Sequence, residues 1–131
     1  MPFFSIVEKL FLWSNELKGT IPSELGLLDK LTHLGLDEND LTGSIPSELG
    51  NLFNMTGMTL GENKLTGIIP SEIGKMEMLE NLYLDKNELE GSIPTELFQC
   101  ENLIELWLHN NKLTGTIQTF IGPLENLKFR K

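Results

Sequence analysis

Side chains suited to molecular recognition recur in this sequence at equivalent positions of a regular repeat. Aromatic side chains bury a large area with few rotatable bonds, so they anchor interfaces well. Carboxylates placed among them attract cationic groups. We therefore expect a protein or peptide partner that carries basic and apolar groups. The candidate binding residues, which include both tryptophans, the only tyrosine and both histidines of the chain, are Phe11, Trp13, His33, Asp37, Glu62, Tyr83, Asp85, Glu105, Trp107 and His109.

Catalytic and metal-binding patterns are absent from the sequence. It contains no glycine-rich phosphate loop, no HExxH motif and no paired cysteines at zinc-binding spacing. The acidic residues Asp37, Glu38, Glu62 and Asp85 lack the spacing of a calcium-binding loop. Cys100 falls in an apolar column, where a thiol behaves as a small hydrophobic group. We expect no enzymatic activity, no cofactor and no metal.

Composition restricts the partners and the compartment. Ten Lys and Arg against 19 Asp and Glu give a net charge of -9, which repels nucleic acids and anionic membranes. No apolar run reaches the roughly 18 residues of a membrane-spanning helix, so direct membrane insertion is not expected. The segment 2–13 is interrupted by Glu8 and Lys9, and it makes a poor signal peptide. A single cysteine excludes an internal disulfide framework.

The elements that position the candidate residues follow from the period of the repeat. Ile-Pro pairs occur at Ile21-Pro22, Ile45-Pro46, Ile69-Pro70 and Ile93-Pro94, and the same interval separates each pair from the next. A fixed period of this size indicates stacked supersecondary units. The chain divides into an N-terminal flank or minimal cap at 1–6, a C-terminal flank or truncated sixth repeat at 127–131, and five repeats at 7–30, 31–54, 55–78, 79–102 and 103–126.

Each column of the repeat has a structural interpretation. Seven columns are apolar in all five repeats and predict a continuous core, while leucines alternating with polar residues predict a short strand in each repeat. An invariant Asn, as in Asn39, suits an inward amide that satisfies loop backbone groups. The invariant Gly, as in Gly43, marks a bend. Ser47-Glu48 after the proline predicts the start of a short helical turn.

These residues carry a specific resemblance. The series Leu31, Leu34, Leu36, Asn39, Leu41, Gly43, Ile45-Pro46, Leu49-Gly50 and Leu52 resembles the plant-type leucine-rich repeat. This family occurs in the ectodomains of receptor-like kinases and receptor-like proteins and in polygalacturonase-inhibiting proteins. The resemblance implies an α/β solenoid, namely a right-handed horseshoe with one parallel concave sheet and short helical or 3₁₀ turns on its convex side. It also implies an extracellular or cell-surface location, signalling through bound proteins or peptides, and a concave binding face. Separately, we expect a monomer.

The flanks depart from the pattern. Phe3, Phe4 and Ile6 are expected to cover the first repeat as a small apolar cap. Arg130 falls where a sixth repeat requires an inward leucine, so the core is expected to end there or the repeat to be truncated.

Two alternatives remain open for function. Hydroxyl columns that include Thr20, Ser44, Ser23 and Ser47 suit a polysaccharide- or ice-binding surface. A structural spacer within a longer solenoid is the other alternative. Separately, Asn54-Met55-Thr56 is a glycosylation sequon on an expected surface turn.

Overall fold

A six-stranded parallel sheet organises the protein. The computed structural model describes residues 6–115 and 127–130. Each strand of this sheet is short, and every strand pairs with its equivalent in the neighbouring repeat. In spatial order the strands are β1 (Lys9–Phe11), β3 (His33–Gly35), β5 (Gly57–Thr59), β7 (Asn81–Tyr83), β9 (Glu105–Trp107) and β11 (Lys128–Arg130).

The register of this sheet explains the repeat. From β1 to β9, each residue pairs with the residue at the same position of the next repeat, so Leu34, Met58, Leu82 and Leu106 form one row. All four of these side chains are fully buried, while most residues on either side of them are only partly buried. The predicted alternation is therefore confirmed, and the fold is a leucine-rich-repeat solenoid with a concave parallel sheet.

Two further parallel sheets line the flank of the solenoid, and the sequence did not reveal them. One contains β2 (Lys18–Thr20), β4 (Asp40–Ser44) and β6 (Lys64–Thr66), and the other contains β8 (Glu90–Ser92) and β10 (Lys112–Thr114). Their pairs join different columns of the repeat, as in Gly43 with Leu65. The prediction of a single sheet is thus incomplete.

Short 3₁₀ helices form the convex side, as expected. They begin at the residue after each proline of the Ile-Pro pairs and carry a Glu in the first turn, where it complements the helix dipole. Adjacent helices pack so closely that a Cβ on Gly50 would lie 2.5 Å from the carbonyl oxygen of Glu72. The helices are Ser23–Leu27, Ser47–Asn51, Ser71–Lys75 and Thr95–Gln99.

The buried leucines, isoleucines and methionines form one continuous core, and Cys100 lies within it. The first repeat is an exception, because Val7 and Leu17 are 39% and 37% exposed despite their apolar columns. Only one strand neighbour covers this end of the sheet in the described part of the chain. Ile6 is 89% exposed, so the expectation that it caps the first repeat is wrong. Phe3 and Phe4, the other residues of that expectation, lie outside the described residues.

The expectation that Arg130 occupies the inward row is also wrong. Strand β11 joins the concave sheet and pairs Phe129, not Arg130, with Leu106. Phe129 and Leu127 pack against the core. The residues paired between β9 and β11 are therefore one residue closer in sequence than the period of the repeat. This shift brings the apolar Phe129 into the inward row.

Candidate functional site

The outward residues of the concave sheet form three rows that cross the repeats. The first row runs through His33, Gly57, Asn81 and Glu105; the second through Phe11, Gly35, Thr59, Tyr83 and Trp107; the third through Trp13, Asp37, Gly61, Asp85 and His109. Strand pairing sets the first two rows. Backbone hydrogen bonds from Ser14 to Asp37, Glu38 to Gly61 and Glu62 to Asp85 continue the third.

An aromatic cluster lies at the C-terminal side of this surface. The rings of Tyr83 and Trp107 stack at 4.3 Å between centroids with 14° between their planes. His109 tilts against Trp107 at 6.3 Å. The Tyr83 hydroxyl donates to Oε2 of Glu105 at 2.5 Å. Burial, assisted by this hydrogen bond and by the charge of Glu105, raises the pKa of Tyr83 to about 12.

Asp85 lies beside this cluster and is only 7% exposed, so it is less accessible than its concave position led us to expect. Its Oδ2 lies 3.5 Å from Nε2 of His109, whose buried Nδ1 has no hydrogen-bond partner among the described residues. The side chain fits because residue 61 is glycine: a Cβ there would lie 2.8 Å from Oδ1 of Asp85. Gly61 thus allows a carboxylate to lie against the floor of the surface.

A second aromatic cluster lies at the N-terminal side. The rings of Phe11 and His33 meet edge to face at 6.1 Å. Phe11 and Trp13 both lean over Gly35, where a Cβ would lie 3.0 and 3.1 Å from their ring carbons. Both side chains are 54% exposed. Phe11 and Trp13 therefore present ring area to solvent on a rigid sheet.

Small and acidic residues separate the two clusters. Thr59 donates to Oδ1 of Asp37 at 2.5 Å, which fixes that carboxylate over the centre of the sheet. Glu62 lies on the rim and forms an ion pair with Lys86 at 2.6 Å. The hydrogen bond with Glu62 raises the pKa of Lys86. The ten candidate residues therefore divide into two clusters, a central carboxylate and a charge-paired rim residue.

The structure offers no arrangement for metal chemistry within the described residues, where no three His, Cys, Asp or Glu side chains are placed to hold one ion. Burial raises the pKa of the Cys100 thiol to about 11, which agrees with its expected inertness. None of the helices in 6–115 and 127–130 is long and apolar enough to cross a membrane.

A groove of about 1020 Å³ runs along the flank beside the second set of strands. The expected hydroxyl columns line it, with Thr20, Ser44 and Ser92 from one column and Ser23 and Ser47 from the other. Ile68 interrupts the first column and is 62% exposed. The two hydroxyl columns that the sequence assigned to one surface therefore face one common space.

The sequon asparagine is accessible. Asn54 is exposed, and its amide donates to the backbone oxygen of Asp29 at 2.8 Å. Asn102 occupies the same repeat position and donates to the backbone oxygen of Glu77 at 2.7 Å. An N-linked sugar on Asn54 leaves one amide hydrogen for this contact.

These features define a solenoid of leucine-rich repeats with an aromatic and acidic concave face. The family model described as Leucine Rich Repeat matches residues 30–52, 78–100 and 102–124. The chain therefore belongs to the leucine-rich repeat family, and its structural relatives make it a plant-type member that resembles receptor kinase ectodomains. A comparison with curated proteins gives no significant match.

Similar solved structures come mainly from plant receptors. The structure of PEPR1–AtPEP1 is 42% identical over 96% of this chain and 18% of that chain, with a TM-score of 0.93. The Arabidopsis receptor kinase HAESA, in complex with the peptide hormone IDA and the co-receptor SERK1, is 36% identical over 96% of this chain and 21% of that chain, with a TM-score of 0.91. This chain thus spans about a fifth of the length of either receptor.

A different activity appears among the relatives. A plant ice-binding protein is 32% identical over 85% of this chain and 36% of that chain, with a TM-score of 0.81. The fold alone therefore does not distinguish a protein-binding function from the binding of a different ligand such as ice.

Proposed function

We propose that the chain is a non-catalytic recognition module that binds a protein or peptide on its concave face. The observation that carries this proposal is the Tyr83–Trp107 stack, two large half-buried rings held on a rigid sheet beside Glu105 and Asp85. The similar receptor kinase HAESA is solved with a peptide hormone and a co-receptor, and this supports the same class of partner. The face also suits basic ligand groups, because Asp37 lies between its aromatic clusters and Asp85 lies beside one of them, and it suits apolar groups because of its aromatic rings.

A random dodecapeptide phage library, selected on the immobilised protein, supplies the probe for testing this proposal. Selected peptides are synthesised and their affinities measured by isothermal calorimetry and by tryptophan fluorescence. We expect Tyr83→Ala and Trp107→Ala each to weaken binding by about tenfold or more, since aromatic residues dominate the binding energy of many interfaces. Phe53→Ala is the matched control, because Phe53 is a 60% exposed aromatic outside the three rows. Equal affinities for all three variants would reject the concave face.

A second candidate rests on the flank groove. Its two hydroxyl columns face the same space and spread across successive repeats, an arrangement that suits a polysaccharide chain. The similarity to an ice-binding protein also favours a non-protein ligand. For this function, Thr20→Ala with Ser44→Ala should abolish retention on immobilised plant cell-wall polysaccharides, or ice recrystallisation inhibition, while Trp107→Ala changes neither. A spacer role predicts that none of these substitutions matters.

We also propose an extracellular or cell-surface location, as its receptor relatives suggest. Secreted expression in eukaryotic cells tests one consequence of this location, namely glycosylation of Asn54, which is exposed within a sequon. Wild type and Asn102→Gln should lose mass on treatment with a glycosidase that removes N-linked sugars. Asn54→Gln should already have the lower mass. An unglycosylated wild-type protein from the same cells would contradict use of this site.

A further inference from the structure

The centre of the concave face contains an open space above Thr59, because Thr59 and the glycines around it are small and Tyr83 leans away towards β9. Thr59 pairs with Gly35 on one side and Tyr83 on the other. Phe11 and Trp13 lie over Gly35, and Tyr83 leans towards β9, where it stacks on Trp107 and bonds to Glu105. The ring face of Tyr83 opposite Trp107 therefore looks across a residue that is too small to cover it.

Two carboxylates border this space on the third row. Asp37 is held there by the Thr59 hydroxyl, and Asp85 lies against Gly61 from the other side. Gly61 is the third-row residue between them, so no side chain separates the two acids. On the first row the opposite border is Gly57, where an added Cβ would lie 3.3 Å from the His33 ring.

The charges around the space are only partly offset by a cation of the described chain, since Lys86 attracts Asp85 and Glu38 less strongly than it attracts Glu62. Lys86, a lysine on the rim, already pairs with Glu62. Glu38, which adjoins Asp37, accepts from the Ser14 hydroxyl. Asp85 faces the imidazole of His109 at 3.5 Å. A cationic ligand group placed here gains attraction from both Asp37 and Asp85.

An aromatic face beside carboxylates favours a guanidinium cation over an ammonium cation. A guanidinium is planar, stacks on aromatic rings and donates several hydrogen bonds in a fixed geometry, whereas an ammonium is a compact and strongly hydrated charge. We propose that the space above Thr59 binds the guanidinium of an arginine side chain in an extended peptide, stacked on Tyr83 and hydrogen-bonded to Asp37. Asp85 adds negative charge from the floor. This inference rests on the proposed function and specifies its ligand.

Dye-labelled hexapeptide pools test this inference, with one position fixed as arginine, lysine or citrulline and the others randomised. Citrulline has nearly the shape of arginine without its charge. Fluorescence anisotropy should show the arginine pool binding about tenfold more tightly than the citrulline pool, as expected for a charge-assisted hydrogen bond. The lysine pool should fall between them.

Three variants assign this preference to the space above Thr59. Asp37→Asn should reduce the preference for arginine over citrulline to under about threefold, and Thr59→Trp should remove it by filling the space. Glu88→Gln is the matched control, since its carboxylate is paired with Lys112 outside the three rows, and it should retain the preference. Circular dichroism checks that each variant is folded.

The outcomes separate this inference from the proposed function. Equal binding of the arginine and citrulline pools to the wild type, with both weakened by Tyr83→Ala, overturns the arginine site and leaves the concave face in place. A preference for arginine that survives Thr59→Trp also overturns the site. Pools that bind equally well to wild type and to the Tyr83→Ala and Trp107→Ala variants count against the proposed function itself.

Discussion

Replacing one asparagine of the repeat should show what holds successive repeats together. Asn63 is 9% exposed and lies where the chain turns away from the concave sheet. Its Nδ2 donates to the backbone oxygens of Leu36, Leu60 and Gly61, and its Oδ1 accepts from the N–H of Leu41. Asn63→Ala removes all of these hydrogen bonds at once.

Asn63→Ala should lower the free energy of unfolding by less than the summed contributions of these hydrogen bonds, because the three carbonyls keep other partners. The carbonyls of Leu36 and Leu60 also accept from Asn39 and Asn87, and that of Gly61 accepts from the N–H of Glu38. The N–H of the buried Leu41 loses the amide that it meets in the wild type. An unsatisfied buried donor costs about 1–3 kcal/mol. With a small cavity added, we expect a loss of about 2–3 kcal/mol.

Asn15 provides the matched control at the end of the array. Its amide donates to the carbonyls of Leu12 and Trp13, and the residue is exposed. In the described part of the chain no preceding strand supplies an N–H to its Oδ1. Water can replace the lost partners, so Asn15→Ala should cost less than about 1 kcal/mol.

Urea unfolding followed by far-UV circular dichroism measures both losses. A typical domain has about 5–15 kcal/mol of stability, so the loss expected for Asn63→Ala should shift the midpoint clearly while the slope stays unchanged. Equal losses for Asn63→Ala and Asn15→Ala would refute the argument that the buried N–H dominates the cost. A loss near zero for Asn63→Ala would refute the structural role of the asparagine row.

Three further predictions concern packing and titration. Gly50→Ala should destabilise the protein by about 1–3 kcal/mol in the same urea assay, because its Cβ meets the backbone of Glu72 at 2.5 Å; wild-type stability would contradict this packing. The Cys100 thiol, whose pKa is raised to about 11 by burial, should react with a thiol reagent only after urea unfolding, and rapid native-state labelling would contradict its burial. Absorbance at the phenolate band should give Tyr83 a pKa of about 12 rather than 10, so stability should fall as the pH rises from 10 to 12. Glu105→Gln should lower this pKa only part of the way towards 10, because burial is the larger cause; a complete return would show that Glu105 alone raises it.

The inward rows of the fold could be predicted because every repeat must bury apolar side chains at the same positions. Leu34, Met58 and Leu82 occupy the same column of the sequence and meet at paired positions of the sheet, so the sequence period equals the structural register. The flank sheets were missed because their pairs join different columns and combine unlike residues, such as Gly43 with Leu65. Column alignment does not compare such positions.

The candidate face was less predictable than the core. The columns identify which residues point outward, but the direction in which each side chain leans depends on the size of its neighbours. Asp85 becomes buried only because Gly61 leaves room for it, and Phe11 covers Gly35 for the same reason. Arg130 was assigned by counting one full period onward, whereas the last pairing is one position shorter.

The asparagine row also explains why the concave face can specialise without loss of the fold. Within one repeat, Leu36 points into the core while Asp37 lies on the face, and the Asn39 amide binds the carbonyls of both residues. The backbone at this turn is therefore fixed by the asparagine amide and not by the outward side chains. Substitutions at Asp37 or Trp107 should then change binding far more than stability. Because stability and binding depend on different side chains, a loss of affinity in a folded variant can be assigned to the concave face.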